Sequence, residues 1–384
     1  MGYRVSIGDL RLSQSAKDNL DTVIRSGRVT EHKMVRRFED AWADYIGVDH
    51  CVAVSSGWGA LVTALSAAKI MLHPPTDAVL TTPLSYIATT SAIWLADMYP
   101  VFDDVSPDTM CIQRQDTVWD IALPVDLMGY ASDIPDGALA VIEDAAEAHG
   151  TVAPDGKKCG ARSLAGCFSF YVAHNVQAGE MGCITTDNKD FAQLCRQLKA
   201  QGRACKCRVC IRATGHCPDS GPNDPRFRHE YPGFNFKSNE FAAAIALSQA
   251  NKADIIKQQR LDNVQYLSAM LANTLGIHLP YLDDRVSYMA YPLILDDNIS
   301  RKDICWALEN LGIETRPLFG VVYQHPAWHR FTPEYRNLDG CFPVAERLGS
   351  QGFYIGCHQY LTTDDLKYAA EAIKEILSKY ERDA

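Results

Sequence analysis

A histidine inside a glycine-punctuated segment is the first group in this sequence that could do chemistry. His174 lies in FSFYVAHNVQAGEMG, residues 168–182, after an apolar, strand-like run. The two glycines of this segment, Gly179 and Gly182, suit a turn in which the backbone approaches another group closely. A free imidazole titrates near neutrality and can act as a base, but a lone histidine beside aromatic side chains is often a half-buried structural residue. The segment by itself leaves both interpretations open.

A cluster of cysteines is the second such group. The run GRACKCRVCIRATGHC crowds four thiols into thirteen positions, at Cys205, Cys207, Cys210 and Cys217. Four thiolates commonly hold an iron–sulfur cluster, and zinc accepts the same ligands. The other cysteines are scattered, mostly among apolar neighbours, and are predicted to be packing residues. The clustered thiols therefore predict a metal site, with free thiols in a loop as the alternative.

Two further segments could bind a cofactor or an anion. Asp144 in VIEDAAEAHG follows a buried strand, where a sheet presents side chains to a ligand, although a helix N-cap aspartate would look the same. The turn SSGWGAL, residues 55–61, ends a strand and opens a helix. The backbone N–H groups of Gly57 and Trp58 could therefore hold a phosphate, although glycine turns of this kind are common in α/β proteins for structural reasons.

The overall composition indicates a folded protein of the size of an enzyme. The chain has 384 residues, of which 47% are hydrophobic and 22% charged, and it carries a net charge of −10. This charge argues against a nucleic-acid-binding surface. No apolar run approaches the roughly 18 to 20 residues that span a bilayer, and the N-terminal MGYRVSIGDL lacks the regions of a signal peptide. We therefore expect a cytoplasmic protein with neither nucleic acid nor a membrane as a partner.

Brief apolar strands alternate with helical patterns over much of the chain. The strands end in polar or glycine-containing segments, as in CVAVSSG, AVLTTP and IALPVDL. This order predicts an α/β fold with a mostly parallel sheet and crossover helices. Residues 1–260 are assigned to a large domain, which includes a cysteine-rich insertion at residues 203–232. Residues 261–384 are assigned to a smaller C-terminal α/β domain.

Several of these segments resemble those of the DegT/DnrJ/EryC1/StrS sugar aminotransferases. FSFYVAHN followed by GEMG is similar to the family's cofactor-lysine segment, and EDAAEAHG and SSGWGAL are similar to two further family motifs. The resemblance covers the chain from about residue 26 to about residue 376. It implies the pyridoxal phosphate (PLP)-dependent aminotransferase fold type I. In that family a lysine holds PLP as a Schiff base at the position that is His174 here.

The resemblance also implies roles for individual residues. Asp144 would pair with the ring nitrogen of the cofactor, and Glu147 would lie near the ring's 3-hydroxyl group. Tyr86 of PLSYIATT would stack on the ring. Asn235 of PGFNFK would reach the phosphate of the neighbouring subunit, which implies a homodimer. The phosphate contacts within one chain would be Gly57, Trp58 and Ser169, with Trp58 contributing only its backbone because it lacks the hydroxyl group of the family's residue.

The histidine changes the chemistry that the resemblance implies. Because His174 cannot form the Schiff base, the resting cofactor is expected to be pyridoxamine phosphate (PMP), with His174 as the base that removes a proton from the cofactor carbon. Members of the family with this histidine are 3-dehydratases of GDP-4-keto-6-deoxymannose, CDP-4-keto-6-deoxyglucose or a related TDP-sugar. The resemblance thus implies a lyase that removes the carbon-3 hydroxyl of a 4-keto sugar in deoxysugar or natural-product biosynthesis.

An iron–sulfur cluster is the favoured interpretation of the four clustered cysteines. The member of the family that acts on the CDP-sugar carries such a cluster and has a comparable GR-x-C-x-C segment. A 2Fe–2S cluster is favoured and a 4Fe–4S cluster is possible, while zinc is the alternative metal. The cluster would pass single electrons from a separate reductase to the cofactor-bound intermediate.

Three other functions are weighed against this one. A cluster-independent 3-dehydratase would regenerate PMP from glutamate and release ammonia. An ordinary sugar aminotransferase is disfavoured because the lysine is missing, and a degenerate cofactor-binding regulator is disfavoured because Asp144 is present.

The residues that would select the substrate are less well defined by the sequence. Arg28, Lys237 and Arg316 are candidate contacts for an anionic substrate, with solvated surface charge as the alternative. Trp58, and Asp126 at a position where the family commonly has histidine, are expected to change the pocket lining. Neither substitution identifies the sugar.

Overall fold

The computed structural model describes residues 2–113, 118–208 and 227–380. Within these ranges the strands form a seven-stranded sheet and a four-stranded sheet. The strands of the larger sheet are β1 (His50–Val54), β2 (Ala78–Thr81), β3 (Tyr99–Phe102), β4 (Ile121–Ala122), β5 (Ala140–Asp144), β6 (Ala165–Ser169) and β7 (Gly182–Thr186). Those of the smaller sheet are β8 (Ile277–His278), β9 (Tyr291–Leu295), β10 (Thr315–Pro317) and β11 (Gly352–Ile355).

The larger sheet is mostly parallel, with the strand order β1-β7-β6-β5-β4-β2-β3. Neighbours from β3 to β6 run parallel, and β7 runs antiparallel to both β6 and β1. The predicted α/β class with a mostly parallel sheet is confirmed. Because parallel strands end at the same edge of a sheet, the side chains at the carboxyl ends of β5 and β6 are brought close together.

Helices cover both faces of the larger sheet. Alternate residues of β1 point to opposite faces, as the pleat of a strand requires. Val52 and Val54 join a core with residues of α3 and α5, while Cys51 and Ala53 join a second core with Trp42. The helices are α1 (Gln14–Ser26), α2 (Lys33–Ile46), α3 (Gly57–Leu72), α4 (Ile87–Leu95), α5 (Lys189–Leu198), α6 (Glu240–Ala250), α7 (Ala253–Leu271), α8 (Arg301–Asn310), α9 (Pro326–Phe331), α10 (Pro343–Gln351) and α11 (Thr363–Tyr380).

The smaller sheet lies in the C-terminal part of the chain. Its order is β10-β11-β9-β8, and its paired strands run antiparallel. One hydrophobic core joins β8, β9 and β11 to apolar side chains of α7, α8, α10 and α11. The predicted division of the chain at residue 260 falls inside α7, and the two-domain boundaries stay a prediction.

The ends of the predicted insertion at residues 203–232 run side by side. Arg203 and His229 form an antiparallel bridge, and the Ala204 N–H donates to the Arg228 carbonyl at 2.9 Å. The chain therefore leaves and re-enters the body of the protein at one place. Among the described residues, no helix combines the length and apolar character needed to cross a membrane.

Candidate active site

A cavity of about 440 Å³ lies at the carboxyl edge of the larger sheet. β10 and β11 of the smaller sheet each contribute one wall residue, Arg316 and Tyr354. Eight residues singled out from the sequence line this cavity together: Gly57, Trp58, Tyr86, Asp144, Glu147, Ser169, His174 and Arg316. They come from five separate stretches of the chain, so the fold assembles the site from residues that are distant in sequence.

The start of α3 forms one end of the cavity. Ser56 caps the helix, because its hydroxyl accepts a hydrogen bond from the Gly59 N–H at 3.0 Å. The N–H groups of Gly57 and Trp58 belong to the first turn and have no acceptor within the helix. A Cβ atom on Gly57 would lie 2.5 Å from the Cβ of Ser169, so only glycine fits there. This helix start can hold an anion beside Ser169.

The indole of Trp58 is fixed against the neighbouring helix. Its N–H donates to the hydroxyl of Ser91 on α4 at 3.0 Å, and its ring packs edge-on against Phe236 with centroids 5.9 Å apart. The ring therefore forms a rigid part of the cavity wall. The prediction that Trp58 alters the pocket lining agrees with this position.

Asp144 ends β5 and is nearly buried at the cavity wall. The Thr89 hydroxyl donates to one carboxylate oxygen at 2.8 Å. Burial raises the pKa of Asp144 to about 6, against the effect of the Thr89 hydrogen bond, which lowers it. Because burial disfavours the charged form of Asp144, a cationic partner in the cavity would strongly stabilise this carboxylate. Sequence reasoning missed Thr89, although it stands in the segment PLSYIATT that suggested Tyr86.

Glu147 lies one turn beyond Asp144 on the same wall. Its carboxylate accepts a hydrogen bond from the Met128 N–H at 2.7 Å, which ties it to the loop after β4. Burial raises the pKa of Glu147 to about 7, and the nearby charge of Asp144 adds to the increase. At neutral pH this side chain can therefore either donate or accept a proton.

The His174 ring is oriented by its own segment. Its Nδ1 atom lies 2.9 Å from the Ser169 carbonyl oxygen. Since a carbonyl oxygen only accepts hydrogen bonds, Nδ1 carries the proton of the neutral ring and Nε2 keeps a free lone pair. Burial lowers the pKa of His174 to about 4, with contributions from the Arg260 and Arg316 charges. The imidazole is therefore neutral at physiological pH and its Nε2 can accept a proton.

Two aromatic side chains flank the cavity on its open side. Tyr86 is 62% exposed and lies 6.0 Å, between ring centroids, from Phe319. Tyr171 contacts the His174 ring edge-on with centroids 5.9 Å apart. A planar ligand entering this cavity would meet the Tyr86 ring, which fits its predicted stacking role.

Asn235 does not line this cavity. It is exposed and lies in a separate surface pocket with Lys237 and Glu31. Phe236, between Asn235 and Lys237, contacts Trp58, so this pocket adjoins the outer side of the cavity wall. Its predicted contact with the phosphate of a neighbouring subunit stays a prediction. Arg28 lines neither pocket.

The predicted metal site falls only partly on residues that the structure describes. Cys205 is partly buried and Cys207 is exposed, and neither lines the cavity. Cys210 and Cys217 lie outside the described residues. Within the described ranges, one group of possible metal donors has ligand atoms within 4.8 Å of one another, and it contains Asp126, Glu143 and Cys159 instead.

Asp126 is buried behind the cavity rather than in its lining, so the expectation that it alters the lining is wrong. Its carboxylate accepts from Arg162 at 3.0 Å, and the same guanidinium donates to Glu143 at 2.6 Å. A metal ion bound here would have to compete with the Arg162 guanidinium for the two carboxylates. The arginine, in the loop before β6, joins the loop after β4 to the end of β5, and β5 also carries Asp144 of the active-site wall.

Replacing Arg162 with methionine is expected to destabilise the protein by about 3–5 kcal/mol, because two buried carboxylates would lose their cation. Urea denaturation followed by far-ultraviolet circular dichroism measures this loss. Arg25, which pairs with Asp21 in solvent at 2.8 Å, provides the matched control. Its replacement with methionine should cost less than about 1 kcal/mol. Equal losses for the two variants would contradict the importance of the buried network.

Comparison with known proteins identifies the family of this arrangement. The model of the DegT/DnrJ/EryC1/StrS aminotransferase family matches residues 11–374. GDP-perosamine synthase of Caulobacter vibrioides is 28% identical, covering 97% of this chain and 98% of that protein. The dTDP-4-dehydro-2,6-dideoxy-D-glucose 3-dehydratase of Saccharopolyspora spinosa is 27% identical, covering 92% of this chain and 82% of that protein.

A solved structure has the same fold over nearly the whole chain. It is a GDP-4-keto-6-deoxymannose-3-dehydratase with a trapped PLP-glutamate geminal diamine. Its TM-score is 0.83 at 21% sequence identity, and the match covers 96% of this chain and 100% of that structure. The predicted PLP fold type I, with a smaller C-terminal domain, is thereby confirmed at the level of the fold.

Proposed function

Because the chain belongs to the DegT/DnrJ/EryC1/StrS aminotransferase family, we propose that it is a PMP-dependent 3-dehydratase of a 4-keto sugar. The observation that carries this proposal is His174, which stands at the cavity wall where the family has its cofactor lysine. An imidazole cannot hold PLP covalently, but a neutral one can act as a base. Removal of the carbon-3 hydroxyl needs such a base and does not need the lysine.

The residues that line the cavity fit PMP. The free N–H groups at the start of α3, beside the Ser169 hydroxyl, suit its phosphate. Asp144 suits a protonated ring nitrogen, because a cationic partner would offset the cost of burying its charge. Tyr86 offers an aromatic face to the ring. These groups lie in one cavity, so a single cofactor could satisfy them together.

In the proposed reaction PMP, when bound, supplies an amine for the keto group and a ring that takes up electrons. The chain's own residues hold and move protons. Asp144 keeps the proton on the ring nitrogen. His174 accepts a proton at Nε2 from the carbon that bears the cofactor's amine, while Nδ1 stays bound to the Ser169 carbonyl. The imidazolium then holds a proton that the departing hydroxyl group can take up.

We infer that the enzyme is of the cluster-independent type, in which glutamate restores PMP and the dehydrated product releases ammonia. A structure with the same fold was trapped with glutamate on its PLP, which supports this choice. The iron–sulfur alternative depends on four cysteines, two of which lie outside the described residues, while Cys205 and Cys207 do not line the cavity. The cluster and its reductase therefore have no support from the described part of the chain.

Two further proposals concern assembly and substrate. We propose a homodimer in which Asn235 of one chain contacts the cofactor phosphate of the other, since Asn235 is exposed beside the cavity wall rather than inside it.

We also propose that the sugar is nucleotide-linked. The named substrates and products of the relatives, a GDP-sugar and a dTDP-sugar, support that class.

Metal analysis and turnover together test the proposed function. Protein purified without oxygen should contain substoichiometric iron and sulfide and should lack visible bands that bleach with dithionite. Supplied with L-glutamate and a nucleotide-linked 4-keto sugar, it should give a 3-deoxy product, 2-oxoglutarate and ammonia over many turnovers. Stoichiometric iron and sulfide, with turnover that needs a reductase instead of glutamate, would contradict the cluster-independent proposal. A stable 4-amino sugar as the product would favour an aminotransferase.

A further inference from the structure

A buried arginine lies behind the His174 segment, outside the cavity. Arg260 on α7 is fully buried, and among the described residues no carboxylate forms an ion pair with it. Burying a permanent charge without a counter-ion is costly, because carbonyl dipoles replace water only in part. Arg260 does not line the cavity, so its charge acts on neighbouring groups of the protein rather than on a ligand.

Three main-chain carbonyls and one side-chain amide surround the guanidinium. Its Nη1 donates to the Met289 carbonyl at 2.6 Å and to the Tyr288 carbonyl at 3.3 Å. Its Nε donates to the Gln359 side chain at 3.2 Å, and its Nη2 donates to the His174 carbonyl at 3.4 Å. Because Met289 lines the cavity, the arginine joins the peptide of the proposed base to another part of the wall.

The residue after His174 is tied to the same loop, which precedes β9. The Asn175 side-chain amide donates to the Ser287 carbonyl at 3.0 Å and to the Ser287 hydroxyl at 2.8 Å. The Met289 N–H donates in turn to the Met128 carbonyl at 3.1 Å, in the loop after β4. The His174 segment is therefore clamped against the wall, with Arg260 holding the carbonyl of His174 at this junction.

The charge of Arg260 also acts on the proton of the base. It adds to the burial that lowers the pKa of His174 to about 4. Arg316 contributes a second positive charge to this pKa, whereas the carboxylates that line the same cavity do not contribute: Asp144, Glu147 and Glu180. A proton on the imidazole therefore lies near two cations, which favour its departure.

The remaining titratable groups around these two side chains carry no negative charge at neutral pH. The rings of His149 and Tyr171 face His174. The groups that face Arg260 are Cys357, His358 and Tyr360. Nothing in this set offsets the charge of Arg260.

We propose that Arg260 is a positioning residue for the base. It fixes the His174 peptide against the cavity wall at Met289, and its charge keeps the imidazole free of a proton until the reacting carbon supplies one. Once that proton is on Nε2, the same charge favours its passage to the departing hydroxyl group. The inference rests on the proposed function, in which His174 takes up a proton and gives it back.

The first test follows the His174 ring by NMR in the PMP-loaded enzyme without sugar. Between about pH 7 and about pH 4.5 the signals should stay those of a neutral ring in the wild type and in Arg260→Lys, which keeps the charge. Gln359→Glu places a carboxylate beside Arg260 and should raise the pH at which the ring titrates by about one unit. Arg260→Met should shift it in the same direction. An unchanged ring in Gln359→Glu would overturn the inference, whether or not Arg260→Met folds.

The second test separates positioning from general support of the fold. Arg260→Met should lower kcat for dehydration about 10- to 100-fold with little change in KM for the sugar, because the base is displaced and the substrate contacts remain. Arg260→Lys should recover part of the rate. Arg301 on α8 is the matched control, because it also donates to two main-chain carbonyls, of Gly349 and Gly352, and lies outside the cavity. Arg301→Met should keep the kcat of the wild type.

An equal loss of kcat in the Arg301 variant, or a rise in KM in place of the loss of kcat in Arg260→Met, would reduce Arg260 to a structural residue. The ring signals require no sugar, so they test the action of Arg260 on His174 whatever the reaction is. A wild type that forms no 3-deoxy product, while its ring signals respond to Gln359→Glu as expected, would overturn the proposed function and leave the contact between Arg260 and His174 intact.

Discussion

Replacing His174 with asparagine is expected to lower the rate of dehydration by about 10²- to 10⁴-fold, the usual contribution of a positioned general base. Asparagine keeps a polar side chain of similar size but cannot take up a proton. The cofactor should stay bound, because the groups proposed to hold it do not depend on His174. These groups are the N–H groups at the start of α3 and the Asp144 carboxylate. Product analysis by mass spectrometry measures the rate, and absorption of the purified protein measures retained cofactor.

The protonation state of His174 in the folded protein provides an independent check of its role as the base. With a pKa of about 4, the folded protein keeps the imidazole neutral, while an unfolded chain protonates it below about pH 6.5. His174 therefore opposes folding increasingly as the pH falls from about 6.5 to about 4, and it has no such effect at higher pH. Histidine ring signals in NMR spectra, assigned by their loss in His174→Asn, should stay those of a neutral ring at pH 5.5. A ring that titrates near pH 6.5, or undiminished activity of the variant, would remove His174 as the base.

The parts of the site that could be predicted from the sequence are those with local signals. Asp144, Glu147, Ser169 and His174 stand in short motifs at strand ends, and the sheet brings strand ends together whatever the helices between them contain. The family resemblance placed these four residues in one site, and they line one cavity. The chemistry expected of His174 depended on one residue difference, histidine in place of the family's lysine.

The parts that could not be predicted depend on contacts between distant segments. Asp126 was expected to change the pocket lining because the family commonly has histidine at this position, but its carboxylate is buried and pairs with Arg162, which lies 36 residues away in sequence. No local pattern relates these two residues. The same limit applies to Met128, whose backbone N–H holds Glu147 and carries no side-chain signature at all.

Replacing Asp144 with asparagine is the second change with a large expected effect. Without a carboxylate at this position, the ring nitrogen would lose the charge partner that keeps it protonated, and the ring would take up electrons poorly. We expect dehydration to slow by at least about 100-fold, as for the loss of one electrostatic partner in other active sites. The affinity for PMP, measured by equilibrium dialysis, should fall as well.

The stability of the cofactor-free protein distinguishes this electrostatic role from a structural one. The pKa of Asp144 is raised from 3.8 to about 6 in the folded protein, so folding is disfavoured as the pH rises through that interval. Above about pH 7 the buried charge costs up to roughly 3 kcal/mol, and below about pH 4 it costs nothing. Asp144→Asn should therefore be more stable than the wild type at pH 8 and equally stable near pH 4, when both are measured by urea denaturation without cofactor. A variant that is less stable at both pH values would mean that Asp144 supports the fold, and its loss of activity would then say nothing about the ring nitrogen.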